Sequence, residues 1–361
     1  MVSLKLLPAI AAVALLLASP AVQASPTYSV TVVGPANSYA NDMNDAGQVV
    51  GSWGWGSGSF LYSNGSIIPI DAGSSTTAAS INNAGVVVGS FRGQYTQQGF
   101  SYSNGVVHKF DAIPEFAAVP SSINDAGQMV GYSVNFMHGP SHLWVDAAGS
   151  TMSATFNGYR SGGTAINNNG DFVGFAASTM GSQDHAMVSV GGRVTDIGTL
   201  GGRYSTANDI NDLAQVVGEA ETSMSLHAFL YADVVMTDLG ALAGDSLSQA
   251  FAINNLGQVV GGSFSDSWDS GHAFLYAAGT MVDLNRLIDP ASGWTLVRAT
   301  DINNNGQIAA LAYKDGVGYA VRLDLASPVP EPANAAMVAA GLVVFSLGAL
   351  RGRRTNFIGR T

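Results

Sequence analysis

A nine-residue phrase recurs along the chain, and a repeat of near-fixed period constrains a fold more tightly than any local propensity. Its form is Ile-Asn-(Asp/Asn)-x-Gly-Gln-Val-Val-Gly. It first occurs at residues 43–51, with Met43 in the isoleucine position, and again from Ile81, Ile123, Ile166, Ile210, Ile253 and Ile302. The asparagines that mark the seven copies, Asn44, Asn82, Asn124, Asn167, Asn211, Asn254 and Asn303, are spaced 38, 42, 43, 44, 43 and 49 residues apart. A four-stranded propeller blade occupies about 40 to 50 residues, so one repeat corresponds to one blade.

Each repeat parses into four short strands, a to d. In the sixth, residues 250–254 are strand a, 258–263 strand b, 272–276 strand c and 281–284 strand d. The phrase itself is the a–b hairpin. Asn and Asp hydrogen-bond the backbone ahead of them, and glycine supplies the positive φ of the turn exit. The asparagines, with Gly47, Gly85, Gly127, Gly170, Gly257 and Gly306, are therefore predicted to be turn formers rather than catalytic or calcium-binding groups. The paired valines of strand b (Val49-Val50, Val216-Val217, Val259-Val260) need burial on both faces, as in blades stacked around an axis.

The seventh repeat has strands a (300–303), b (307–311) and c (319–323) but no strand d before a proline-rich stretch. Residues 28–34 form an unassigned strand ahead of the first repeat. An N-terminal strand that completes the last blade leaves no open ring. The expected fold is all-β, a seven-bladed β-propeller closed by N- and C-terminal strands in one blade. A β-solenoid would also explain the period, but not the complementary missing strand.

The chain has no cysteine, which excludes a disulfide framework, thiol chemistry and Cys-ligated zinc. It carries 14 basic and 25 acidic residues. Without Lys5, Arg351, Arg353, Arg354 and Arg360, which lie in the terminal segments, nine basic residues face 25 acidic ones, a net of −16. Such a body is repelled by phosphate backbones and anionic headgroups, which argues against nucleic acid as a partner. With 47% hydrophobic residues and 44 glycines, the composition is that of a turn-dense β protein with a large core.

His227-Ala228-Phe229-Leu230-Tyr231 and His272-Ala273-Phe274-Leu275-Tyr276, each followed by a Thr-Asp-Leu-Gly or Val-Asp-Leu-Asn strand, resemble the HAF family of extracellular repeats over about residues 28–326. His142 and His185 keep the histidine in their repeats, whereas the first, second and seventh repeats lack it. The resemblance implies architecture and an extracellular address rather than an activity. Strand c lies about 10 Å outside strand a, at roughly 4.8 Å per strand, so the four histidines diverge and are expected to cap blade edges through backbone hydrogen bonds. No metal site, no cofactor motif and no catalytic residue follows from the spacing of any nucleophile, base or paired acid. Glu219, Glu221, Asp266 and Asp269, read as loop acids, are the alternative that a polysaccharide-cleaving propeller would use.

Binding is the preferred class. The b–c connections differ most between repeats and carry Trp53, Trp55, Tyr95, Phe136 and Trp268, and in a propeller these loops share one face. Aromatic rings there offer stacking platforms for sugars, hence an exopolysaccharide-facing adhesion surface, or they anchor the loops. A structural surface protein with a protein partner is the further alternative.

The two ends read as targeting signals. Lys5, the apolar run 6–17 and Val22-Gln23-Ala24 make residues 1–24 a secretory signal peptide. After the repeat body (25–326) come a proline-rich box (327–332) with Val329-Pro330-Glu331-Pro332, an apolar segment (333–350) and a basic tail (351–361) with Arg351, Arg353 and Arg354. Eighteen residues without an ionisable group suffice to span a thin bilayer as a helix, and trailing arginines hold its end in the cytoplasm. This tripartite end resembles the PEP-CTERM tail of exopolysaccharide-producing Gram-negative bacteria. The resemblance implies a transient exosortase partner, passage through the inner membrane, and delivery to the cell surface or extracellular matrix.

Overall fold

The computed structural model describes residues 28–54, 56–93, 97–110, 116–135, 142–147, 150–152, 160–177, 179, 182–265 and 271–326. Apart from two single-turn 3₁₀ helices, Leu284–Arg286 and Pro290–Ser292, its regular structure is β-strand. The strands form seven four-stranded antiparallel sheets. Each sheet is one blade of a β-propeller, and the blades are numbered here from the first copy of the phrase. Blade 6 is representative: a, Leu247–Ile253; b, Val259–Phe264; c, Gly271–Ala277; d, Thr280–Asp283.

Blade 7 closes as the missing strand requires. Its strands a (Thr295–Ile302), b (Ile308–Lys314) and c (Val317–Leu325) come from the C-terminal repeat, and strand d is the N-terminal segment Tyr28–Ala36. Its register pairs Tyr28 with Leu325 and Val32 with Val321. Tyr28 and Val33 are buried, and the Tyr28 amide also donates to the Leu287 carbonyl at 2.7 Å.

Six of the glycines that end the phrase stand where the backbone of strand a bulges toward strand b, with a register shift such as that between Ala250 and Ala252. A Cβ on Gly261 would lie 2.0 Å from the Gln249 carbonyl oxygen, so no side chain fits. The phenylalanine of strand c fills the space beside this glycine, and Phe60, Phe100, Phe229 and Phe274 are completely buried. The paired valines behave as expected: Val49, Val50, Val216, Val217, Val259 and Val260 have no exposed surface, because each strand b is covered by a blade on both sides.

The antiparallel order gives the propeller two unlike faces. The a–b and c–d turns emerge on one, the turn face, and the b–c and d–a connections on the other, the loop face. Removing residues 28–34 exposes the edge of strand c in blade 7 and deletes two buried side chains. We expect a loss of at least ~4 kcal/mol, equivalent to a thermal midpoint lower by at least about 6 °C in a body of roughly 300 residues. Scanning calorimetry of the truncated body measures it, and an unchanged midpoint would show that closure by this strand contributes little.

Candidate functional site

The repeated phrase converges on the axis at the turn face, where its polar side chains form stacked hydrogen-bonded tiers. In the inner tier each phrase asparagine uses its side-chain oxygen for its own turn, as Asn254 Oδ1 does in accepting from Leu256 N at 3.1 Å and Gln258 N at 3.0 Å. Its amide nitrogen does something the sequence reading missed, donating to the backbone carbonyl of the matching asparagine in the next blade. Asn44 donates to Asn82, Asn82 to Asn124, Asn124 to Asn167, Asn167 to Asn211, Asn211 to Asn254, Asn254 to Asn303, and Asn303 back to Asn44, all at 2.9 to 3.1 Å. All seven asparagines are buried.

The next residue builds a second closed tier. The backbone N–H groups of Asp45, Asn83, Asp125, Asn168, Asp212, Asn255 and Asn304 each donate to the side-chain oxygen of the next member, and Asn304 returns to Asp45, at 2.8 to 3.0 Å. The Asp/Asn alternation at this position is therefore a requirement for an acceptor Oδ1, which both residues supply. Turn formation was legible in the phrase. Inter-blade bonding was not, although a polar side chain invariant across seven copies, with asparagine never replaced by aspartate at the first position, was its signal. In the fifth repeat Ala214 stands in the glycine position and still adopts φ 58°.

The residue before the isoleucine position makes a third, incomplete tier. Asp42, Asp209 and Asp301 each bridge two backbone amides, their own blade's and the next blade's: Asp209 accepts from Ile210 N and Ile253 N, both at 2.8 Å. At the seam between blades 7 and 1, Asp42 Oδ1 and Asp301 Oδ2 converge on one donor, Met43 N, at 2.9 and 2.7 Å. Burial, and then the neighbouring Asp42 charge, hold the Asp301 carboxyl well above the ordinary carboxylate range. Burial likewise pushes Asp209 up to about 6. These tiers line an axial funnel of about 180 Å³. Among the described residues, no group of His, Asp or Glu is arranged to hold a metal ion.

On the loop face the described histidines of strand c pair with carboxylates, where bonds to backbone were expected. His185 Nδ1 lies 2.9 Å from Asp196, His227 Nδ1 3.0 Å from Asp238, and His272 Nδ1 3.1 Å from Asp245. The sequence reading missed these partners because two of them sit on strand d and the third on a d–a connection, all distant in sequence from the histidine. The side chain of His142 lies outside the described residues. His227 and Asp238 line a groove of about 660 Å³ between blades 5 and 6, with Met224, Ser246 and Ser265.

The remaining expected site residues separate clearly. Trp53 ends strand b of blade 1 and stacks on Phe60 at 6.2 Å between ring centroids, with the Gly58 backbone against its indole. Trp53 is thus a packed anchor. Trp55, Tyr95, Phe136 and Trp268 lie outside the described residues, as do Asp266, Asp269 and the sorting residues Val329, Pro330, Glu331, Pro332, Arg351, Arg353 and Arg354. Glu219 and Glu221 are not loop acids but belong to strand b of blade 5 (Val216–Glu221). Glu219 is buried and accepts from Asn208 at 3.0 Å, while Glu221 accepts from Arg203 N at 2.7 Å. An aromatic that sequence reasoning overlooked is Trp294, in the connection into blade 7, edge-on to Tyr319 at 5.6 Å and beneath the Lys314 ammonium. Among the described residues no helix is long and apolar enough to cross a membrane; residues 333–350 lie outside them.

No protein-family model matches this chain, and no curated protein matches it in sequence. Solved structures do match in fold. A catalytically inactive virginiamycin B lyase from Staphylococcus aureus with quinupristin has a TM-score of 0.53 at 8% identity, over 83% of this chain and 100% of that one. A streptogramin B lyase has a TM-score of 0.52 at 9% identity, over 83% and 98%. YCF48 bound to D1 peptide has a TM-score of 0.50 at 11% identity, over 87% and 99%.

Two tests address the axial tiers. Asn82→Asp keeps a good turn former but replaces the amide donor facing Asn124 O with an acceptor, so it should cost about 2–3 kcal/mol in urea unfolding. A turn-only role predicts no change. The raised acids give a signed pH dependence. A carboxyl whose folded pKa exceeds its unfolded value of 3.8 adds stability below that value, and for Asp209 this is lost as pH rises through about 6. We therefore expect Asp209→Asn and Asp301→Asn to gain stability relative to the wild type as pH is raised from about 4 to about 8, read from urea midpoints.

These repeats and rings identify the chain by its fold: it is a β-propeller.

Proposed function

We propose that this is an exported, exosortase-sorted protein of the cell surface or extracellular matrix, whose propeller is a non-catalytic binding module for exopolysaccharide. The observation that carries this reading is the division of labour between the two faces. At the turn face the repeated polar side chains are engaged in holding blades together, which leaves them unavailable for chemistry. At the loop face the b–c connections vary from two residues in blade 7 to seven in blade 4. Sequence that varies on a constant scaffold is where a propeller places recognition. Several aromatic loops on one rigid ring give weak sites whose combined avidity exceeds any single contact by orders of magnitude. A neutral or weakly charged glycan suits the acidic body, because a strongly anionic one is repelled.

A protein partner is the second reading, favoured by the groove between blades 5 and 6, where Met224 is 94% exposed beside the His227–Asp238 pair. The fold relative bound to a peptide is consistent with it.

The test is retention of residues 25–326 on the host's own exopolysaccharide. Trp55→Ala with Trp268→Ala should weaken retention roughly tenfold, as loss of two stacking contacts of about 0.5–1.5 kcal/mol each implies. Trp53→Ala should lower stability instead, because its ring packs on Phe60. Undiminished retention by the folded double variant would leave the protein-partner reading in first place.

A further inference from the structure

Both exits of the propeller are on the same face. Strand c of blade 7 ends at Leu325 beside the a–b turn, so close that a Cβ on Gly306 would lie 3.3 Å from Leu325 Cδ1. Tyr28, its register partner, starts strand d at the same level. The described chain therefore ends, at Ala326, on the turn face.

The exposed apolar side chains are unevenly divided between the faces. Leu213 and Leu256 project from the a–b turns of blades 5 and 6, and Val234 from the adjacent c–d turn, at 67, 71 and 85% exposure. Among the described residues, the large apolar side chains exposed at the loop face are Met224 and Tyr313.

We propose that, while residues 333–350 are inserted in a bilayer, the turn face lies against that bilayer with the tips of Leu213, Val234 and Leu256 in its headgroup layer, and the loop face points outward. This rests on the reading of the tail as a membrane anchor. Reach decides between the orientations. The seven residues 326–332 reach about 22 Å in polyproline form and at most about 25 Å fully extended. The nine residues of strand c in blade 7 separate the two faces by about 30 Å. A tether leaving the turn face is too short to run back along the blade and place the loop face on the membrane. Shallow insertion of single leucines and valines at turn tips needs no apolar groove, only proximity and exposure. The carboxylates of Asp45, Asp125 and Asp212 on the same face disfavour anionic lipid, so the surface that fits is zwitterionic.

The absence of native cysteine allows a direct test on the full chain in phosphatidylcholine vesicles. Single variants Leu256→Cys, Val234→Cys and Met224→Cys carry an environment-sensitive fluorophore, and bromine-labelled phosphatidylcholine quenches whatever reaches the headgroup boundary. Quenching at the first two positions should exceed that at the third at least roughly twofold, as immersion in the outer 5–10 Å of the bilayer implies. Equal quenching at all three, or stronger quenching at Met224→Cys, overturns the orientation. Flotation separates the two failures. A chain that floats with the vesicles without turn-face quenching sinks this proposal alone, whereas a chain that does not float sinks the anchor reading and this with it.

Discussion

The ring depends on one hydrogen bond made seven times, from a buried asparagine amide to the carbonyl of the matching asparagine in the next blade. Each is an ordinary neutral bond with a modest net contribution of about 1 kcal/mol. Its importance lies in what would happen without it. The carbonyl also accepts from its own turn, as Asn254 O does from Gly257 N at 3.0 Å, so what the bond satisfies is one N–H of a buried asparagine amide, and a buried donor left unpaired costs more than a formed bond gains. Every a–b turn thus needs its neighbour. The seven bonds return to their start only if the blades close into a ring, so local turn chemistry and global closure are the same requirement.

The same logic explains the concentration of acids at the axis. Asp42, Asp209 and Asp301 bridge backbone amides that a serine (Ser80, Ser122) bridges only at 3.4 Å in blades 2 and 3. The carboxylate reaches two donors where the hydroxyl reaches one at the limit of hydrogen bonding. That advantage is opposed by desolvation, and at the seam by the proximity of a second carboxylate, which together hold the Asp301 carboxyl well above the ordinary carboxylate range. The seam is reinforced on its flank by Arg322, which pairs with Asp324 at 2.8 Å and donates to the Gly47 carbonyl of blade 1 at 2.6 Å. The junction where the chain is not continuous around the ring is therefore held by charged groups as well as by the backbone of the N-terminal strand.

Much of this was legible before any coordinates. The six spacings between the seven copies gave the repeat, the paired valines required burial on both faces, and the missing strand d of the last repeat pointed to residues 28–34. Other features were not. The turn glycine and turn asparagine were read correctly as turn residues, but the asparagine amide was left without a partner because that partner lies about 43 residues away. Phe229 and Phe274 follow His227 and His272 in sequence, yet only packing shows that the phenylalanine fills the space a glycine leaves on strand b. Glu219 looked like a loop acid because the end of strand b carries no turn signal.

The sequence by itself determined the repeat unit, its strands and the closure of the ring, because period, turn chemistry and alternating burial are properties of neighbouring residues. The tertiary structure alone decided what each polar side chain does. Hydrogen bonding is directional and short-ranged, and its partners here come from adjacent blades and from opposite ends of the chain. It made the repeated asparagines and aspartates into axial fastenings, turned the strand c histidines toward carboxylates, packed Trp53 onto Phe60, and placed both chain exits on one face.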